Sequence, residues 1–400
     1  MQSYDIAVIG GGMVGLAFAA ALKDSALKIV VIEGNDISRE LPQTPELRVS
    51  ALSRASENIL RNLDAWSGIE NRRKQAYNDM QVWDRNGFGK IDFSGDDLMT
   101  DSLGHLVENK VIQLALLEQV EKASNITLLT GKRIEKLSQT DEAAWLTIKD
   151  HDPIGAKLVV GADGANSWTR QQALIPLTTW DYNHHAIVAN IRTEEAHGAC
   201  ARQIFNPEGP LAFLPLWQED LCSIVWSLPP DRADELLAMD ETEFNKALTV
   251  AFDGRLGLCK VEGLRQAFPL KMRYARQFAS QRIALIGDAA HTIHPLAGQG
   301  VNLGLLDAAS LAQIVLANQQ QGIDIGLHEN LRGFERWRKA EAAVMISSLE
   351  GLKRLFSGGH PAKRIFRDIG LTLSNTLPTL KYQFIKRAMG LEGELPDLAK

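Results

Sequence analysis

The sequence predicts an α/β fold: a Rossmann-like domain with a parallel sheet, an inserted, mostly antiparallel β-sheet domain, and a helical C-terminus. Three observations carry this. The apolar run Ile6–Ile9 leads directly into the glycine turn Gly10–Gly15. Two more short apolar runs, Leu158–Gly161 and Arg282–Ile286, each end in a glycine and an aspartate, as buried parallel strands do at their carboxyl ends. Residues 184–228 break instead into short strand-like runs such as Ala186–Ile191 and Cys222–Leu228, separated by Pro and Gly.

Taken in order, residues 5–33 read strand, glycine turn, Ala-rich helix, strand, which is one βαβ unit. From 76 to 100 the pattern turns polar and irregular, an excursion into another domain. Apolar alternation returns at Leu106-Val107-Glu108, followed by a helical run from Val111 to Val120. The chain comes back to the first domain at Arg282 and finishes in helices from about 303. The expected domains are 1–75, 101–178 and 276–345 for nucleotide binding, 76–100 and 179–275 for substrate, and a helical region at 346–400.

Composition narrows the function classes. The chain has 400 residues, 45% hydrophobic, and a net charge of -6, a balance that argues against nucleic acid as a main partner. Its three cysteines, Cys200, Cys222 and Cys259, form no C-x-x-C pair, which fits a reducing cytoplasm and a role as small buried hydrophobes. The first residues enter a strand at once, so no cleavable leader is expected, and no uninterrupted apolar run reaches the roughly 20 residues of a membrane span. His184, His185, His291 and His294 fall in no metal-ligand pattern, and no metal is expected.

The chemistry lies in three motifs. In Gly10-Gly11-Gly12-Met13-Val14-Gly15, Gly10 permits the tight turn, Gly12 lets backbone approach a pyrophosphate, and Gly15 lets helix and strand pack closely. The helix that follows offers free N–H groups to phosphates, and Glu33 stands where a carboxylate meets a ribose hydroxyl. This motif alone leaves FAD and NAD open. Asp163-Gly164 and Gly287-Asp288 favour a flavin, because a carboxylate at a strand end followed by small residues suits ribityl hydroxyls, which a nicotinamide dinucleotide lacks. Gly298-Gln299-Gly300 then runs into a helix from Val301, whose N-terminal amides can stabilise negative charge on a reduced ring.

With these motifs the chain resembles the single-component FAD-dependent aromatic hydroxylases, the p-hydroxybenzoate hydroxylase family. The likeness covers G-x-G-x-x-G at 10–15, D-G-x-x-S-x-x-R at 163–170 and G-D-A-A-H at 287–291 with Pro295 downstream. It implies that Glu33 binds the adenosine ribose, Asp288 the ribityl chain, and that Pro295 lines the flavin ring. Gly298, Gly300, Val301 and Asn302 would lie near its pyrimidine edge, and Asp163 and Gly164 would serve both FAD and the nicotinamide reductant. Arg48 would lie near the dinucleotide, with a plain surface arginine as the alternative. Asn109 matches a residue beside the pyrophosphate, with a helix-capping role as its alternative.

The likeness narrows to the ubiquinone-biosynthesis hydroxylases, and within them to the bacterial branch acting at C5 of a 2-polyprenylphenol. It rests on Val107-Glu108-Asn109, Trp180-Asp181-Tyr182, His184-His185, Arg276 to Ser280 and Ala388 to Leu391. It implies reduction of FAD by NADPH or NADH, addition of O₂ to give a C4a-hydroperoxyflavin, and oxygen transfer to the phenol ring. No side chain of the protein is then assigned as the catalytic residue. Phe213, Pro215 and Trp226 are expected to line the substrate pocket, with core packing as the alternative. A sister hydroxylase acting at C1 or C6, a flavin reductase acting on a prenylated substrate, and a non-catalytic FAD-stabilised partner are the competing readings.

Residues 351–390 carry eight basic residues, Lys363, Arg364 and Arg367 among them, and one acidic residue, interspersed with Leu, Ile and Phe. Such a mixture suits peripheral contact with the inner membrane surface or with a biosynthetic complex. The oligomeric state is not legible.

Overall fold

A computed structural model describes residues 2–293, 299–356, 386 and 389–400. Two eight-stranded sheets organise it. The first runs in the spatial order Ala279–Ser280, Ile283–Leu285, Ile154–Gly161, Gln2–Ile9, Ile29–Ile32 and Ile126–Leu129, with Ala144–Ile148 and Ile134–Gln139 attached beside Ile154–Gly161. The strands from Ile283–Leu285 across to Ile126–Leu129 are parallel neighbours. Ile6 to Ile9 and Ile29 to Ile32 are buried without alternation because both faces of this sheet are covered, with helices Met13–Ala20 and Asn109–Lys122 packing onto it.

Those helices set the site. The short helix Met13–Ala20 packs against both Asn109–Lys122 and the long helix Gln299–Gln320, which also meets Arg54–Asn62. Among the described residues only the segment Gly300–Gln320 is long and apolar enough to cross a membrane, and its most apolar window is 67% buried inside the protein. It is a core helix here. The last strand of the parallel set is anchored by Arg282, which is 2% exposed and donates to the Asp141 carbonyl and to Asp324 Oδ1 (2.6 Å).

The second sheet runs His291–Thr292, Cys259–Ala275, Leu177–Thr193, Leu221–Leu228, Gly209–Pro215, Cys200–Asn206, Asp79–Asp84 and Lys90–Ser94. Its pairs are antiparallel except Cys200–Asn206 with Asp79–Asp84. The polar excursion after residue 76 therefore supplies two of its strands. Helices Pro230–Ala238 and Glu241–Ala251 cover one face, burying Ile187, Ile224, Phe213, Leu236, Phe244 and Leu248 together. Val49–Leu52, Gly104–Glu108 and Gln75–Tyr77 form a third, three-stranded sheet whose strands are interleaved in sequence with those of the two large ones.

The expected α/β architecture with an inserted, mostly antiparallel sheet and a helical C-terminal part is the one observed. The helix His328–Phe356 runs 29 residues, and the end of the chain folds back, the Ala399 carbonyl accepting from Asn58 Nδ2 at 3.1 Å.

Candidate flavin site

The glycine turn is fixed by contacts that leave no room for side chains. Gly10 has φ +111°, and a Cβ on it would sit 2.5 Å from the Ala162 carbonyl oxygen; one on Gly15 would sit 2.1 Å from the Gly10 oxygen. Both positions need glycine for close packing. At Gly12, by contrast, a Cβ would meet nothing within 4 Å. Gly12 is also the N-cap of Met13–Ala20, with no side chain closing the helix's first N–H groups. That end is open to an anion.

Glu33, just past the strand Ile29–Ile32, is held beside this turn. The Gly11 N–H donates to its Oε2 at 2.7 Å and the Asn35 N–H to its Oε1 at 3.0 Å. Gln113, which no sequence motif flags, donates from Nε2 to the Gly11 oxygen at 2.8 Å and secures the other side of the same residue.

The three motifs converge in space. Val14 of the first motif touches the third, since a Cβ on Gly287 would lie 3.2 Å from its side chain and one on Gly304 2.6 Å from it. Arg170 of the second motif, 3% exposed, donates from Nη1 to the Ala289 carbonyl at 2.8 Å and from Nη2 to the Ala165 carbonyl at 3.1 Å. Burial pulls its guanidinium below the ordinary arginine value, while the Asp163 charge opposes that shift.

The two motif aspartates are used differently. Asp163 accepts from the Ser167 hydroxyl (2.5 Å), the Thr169 N–H (2.9 Å) and the Thr169 hydroxyl (3.0 Å), so its carboxylate closes its own turn. Asp288 projects from the short 3-10 turn Gly287–Ala289 and is exposed to solvent, while the protein atoms around it partly desolvate its carboxylate. That desolvation raises its pKa, while His291, Arg48 and Arg273 pull it down and Asp307 adds to the rise.

Arg48 is exposed and lies over the Phe268 ring of the second sheet at 5.4 Å. Asn109 is the first residue of the helix Asn109–Lys122, whose N-cap position is Glu108. Its Oδ1 accepts from the Ser50 hydroxyl at 2.6 Å and its N–H donates to the Arg48 carbonyl at 2.9 Å. Asn302 is buried, and its side chain is spent on the Ser53 N–H (3.0 Å), the Ser56 hydroxyl (2.8 Å) and the Ala51 carbonyl (2.9 Å). Gly300 and Val301 lie in the first turn of the same helix, and Cβ atoms on Gly300 and Gly164 would both enter open space. Pro295 and Gly298 lie outside the described residues.

The residues expected to line a substrate pocket are placed elsewhere. Phe213 stacks on Phe252 with ring centroids 3.7 Å apart, and Trp226 packs against Phe244 at 6.4 Å. Both point to the helix-covered face, as Pro215 does by the two-residue alternation of Gly209–Pro215. Ala212, Leu214 and Val225 alternate with them and face the other way, on the side where Asn190 Nδ2 reaches the Pro45 carbonyl (2.9 Å) and Phe268 meets Arg48. Trp226 instead borders a cavity of about 540 Å³ with Arg85, Arg232 and Lys246 on the helix side of the sheet.

The arrangement fits a flavin dinucleotide. Open glycines from three distant segments, an uncapped helix start and an accessible carboxylate at a strand end supply space for the cofactor, N–H groups for its phosphates and an acceptor for its polyol.

A family model described as an FAD binding domain matches residues 3–332. The chain is 35% identical over 98% of its length to the 3-demethoxyubiquinol 3-hydroxylase of Escherichia coli, covering 99% of that protein. It is 34% identical to the human mitochondrial ubiquinone biosynthesis monooxygenase COQ6, over 96% of this chain and 92% of the relative. With the ubiquinone hydroxylase UbiL of Rhodospirillum rubrum it shares 32% identity over 96% of this chain and 89% of the relative. The crystal structure of p-nitrophenol 4-monooxygenase from Pseudomonas putida superposes with a TM-score of 0.81 at 21% identity, covering 98% of this chain and all of that one.

Proposed function

Since the chain belongs to the FAD-binding-domain family of FAD-dependent monooxygenases, with the ubiquinone-biosynthesis hydroxylases among its full-length relatives, we propose that it hydroxylates a 2-polyprenylphenol at ring C5, using NADPH or NADH and O₂. The supporting observation is that named ubiquinone hydroxylases match nearly end to end, across both sheets as well as the dinucleotide motifs. The C5 position rests on the residue pattern from Val107 to Leu391 described above.

Bound FAD supplies the redox chemistry and the activation of oxygen. The protein's part is binding, orientation and exclusion of water. Glu33 and the open start of Met13–Ala20 hold the adenosine and pyrophosphate end, and Asp288 holds the polyol. Gly300 and Val301 present backbone N–H groups at the start of a 22-residue helix, where negative charge is favoured. The sheet face carrying Ala212, Leu214 and Val225 would close over the bound cofactor and keep water from it. Arg48 and Arg273, both within electrostatic range of Asp288, make the mouth of the cleft positive, which suits the phosphates of the reductant. The basic composition of residues 351–390 would hold the protein at an anionic membrane surface, where a polyprenyl substrate is dissolved.

The test is a reaction of the purified holoprotein with NADPH or NADH, O₂ and a short-chain 2-polyprenylphenol, with the product located by mass spectrometry. One oxygen atom at C5, with matched O₂ uptake, is the expected result. Turnover only on a demethoxyubiquinol-type ring reassigns the chain to a sister hydroxylase, and NAD(P)H oxidation with a reduced prenyl product and no O₂ uptake makes it a reductase.

A further inference from the structure

Behind the Asp288 turn lies a buried ionic cluster with no part in the chemistry proposed so far. Asp307, 0% exposed in the helix Gln299–Gln320, accepts through Oδ2 from the Gly287 N–H at 3.0 Å and from His291 Nε2 at 2.6 Å. Its Oδ1 accepts from Arg338 Nε at 2.7 Å, and Arg338 and His291 are each 1% exposed. Burial works against a charge on Asp307, yet His291 and Arg338 hold the carboxyl below the ordinary aspartate range. Because the carboxylate is ionised, His291 Nε2 carries the proton it shares.

Burying such a cluster costs several kcal/mol in desolvation, and apolar residues of the same volume commonly stabilise a core as well. Stability alone therefore gives no reason for it. Its distinctive contact is with the turn: Gly287, at φ +61°, is held at one end and His291 at the other, while the Ala289 carbonyl between them is held by Arg170. Residues 287, 289 and 291 are tied, and Asp288 is left exposed. His291 also pairs with Tyr274 in the second sheet, so the same clamp joins the turn to the substrate side.

We propose that Asp307 is a positioning residue for the flavin: by accepting hydrogen bonds from both ends of the turn, it fixes the direction in which Asp288 presents its carboxylate. The proposal rests on the reading of Asp288 as the polyol-binding residue.

A double-mutant cycle on FAD affinity tests it, using Asp307→Asn and Asp288→Asn, with each apoprotein first shown to be folded by its melting curve and circular dichroism. Alone, Asp307→Asn raises the FAD dissociation constant roughly 10- to 100-fold, the equivalent of one hydrogen bond to a charged group. With Asn already at 288, the same change raises it less than about 3-fold, because the group being aimed is gone. Equal losses in both backgrounds overturn the positioning role while leaving Asp288 as a ligand. An unchanged dissociation constant for Asp288→Asn alone overturns the Asp288 reading and this proposal with it. If Asp307→Asn does not fold, Arg338→Lys, which keeps the charge but loses the Nε–H donor, takes its place in the cycle: a loss confined to the Asp288 background supports the clamp, and equal losses in both backgrounds overturn it.

Discussion

Glu33 and Asp163 stand at the ends of parallel strands of one sheet and look alike in sequence, yet only one of them has its carboxylate beside the dinucleotide turn without being consumed by its own loop. Glu33 takes the N–H groups of Gly11 and Asn35 and a longer bond from Asn35 Nδ2 (3.5 Å), the two Asn35 bonds both on Oε1, so Oε2 retains a lone pair for a ribose. Asp163 accepts three bonds from Ser167 and Thr169. Residue type and spacing announced both carboxylates and the strand ends that carry them. They did not say which would be consumed locally, because a following Ser or Thr can equally face solvent or turn back to cap. Replacing Glu33 by Gln removes the charge that draws the Gly11 N–H and the ribose hydroxyl together. FAD affinity should fall by about 1–2 kcal/mol, roughly 5- to 30-fold, measured by fluorescence titration of the apoprotein. A dissociation constant within about twofold of the parent's would remove Glu33 from the site.

At the scale of elements, the strands of the second sheet were legible and their facing was not. Gly209–Pro215 carries apolar side chains on both faces, one of them covered by two helices, whereas Leu221–Leu228 sets Ser223 and Ser227 on the face opposite Ile224 and Trp226. A strand covered on both sides loses the polar alternation that reveals its orientation. Phe213 and Trp226 are large and apolar, which suits a pocket wall; the same property seats them in the core beneath the helices. Phe213→Ala should therefore act on folding and leave the cofactor alone. Loss of its stack on Phe252 should cost about 3–5 kcal/mol in chemical denaturation. The FAD dissociation constant and the KM for the aromatic substrate should stay within about twofold of the parent's. A large rise in KM at unchanged stability would return Phe213 to the pocket.

Over the whole molecule, the hardest feature to read was that one short segment serves two sheets. Residues 287–292 leave the parallel sheet, form the Asp288 turn and at once pair with Arg273 and Tyr274 of the antiparallel sheet. No local pattern reveals a two-residue strand whose partner is set by tertiary packing. Charge is also unevenly spread at this scale, and that unevenness was legible. The chain carries -6 overall while residues 351–390 hold eight basic residues against one acidic, so the remainder is markedly acidic. An anionic bilayer attracts the first part and repels the second, which would orient the molecule as well as bind it. Each basic residue near the surface contributes about 1 kcal/mol, an attraction screened within about 10 Å at 0.1 M salt and about 3 Å at 1 M. The protein should sediment with phosphatidylglycerol-containing vesicles in low salt, remain in solution with neutral ones, and be released by 1 M NaCl. Changing Lys363, Arg364 and Arg367 together to Gln should remove about 3 kcal/mol of that attraction and move most of the protein to the supernatant. Unchanged sedimentation of the triple variant would show that the basic stretch does not meet the lipid.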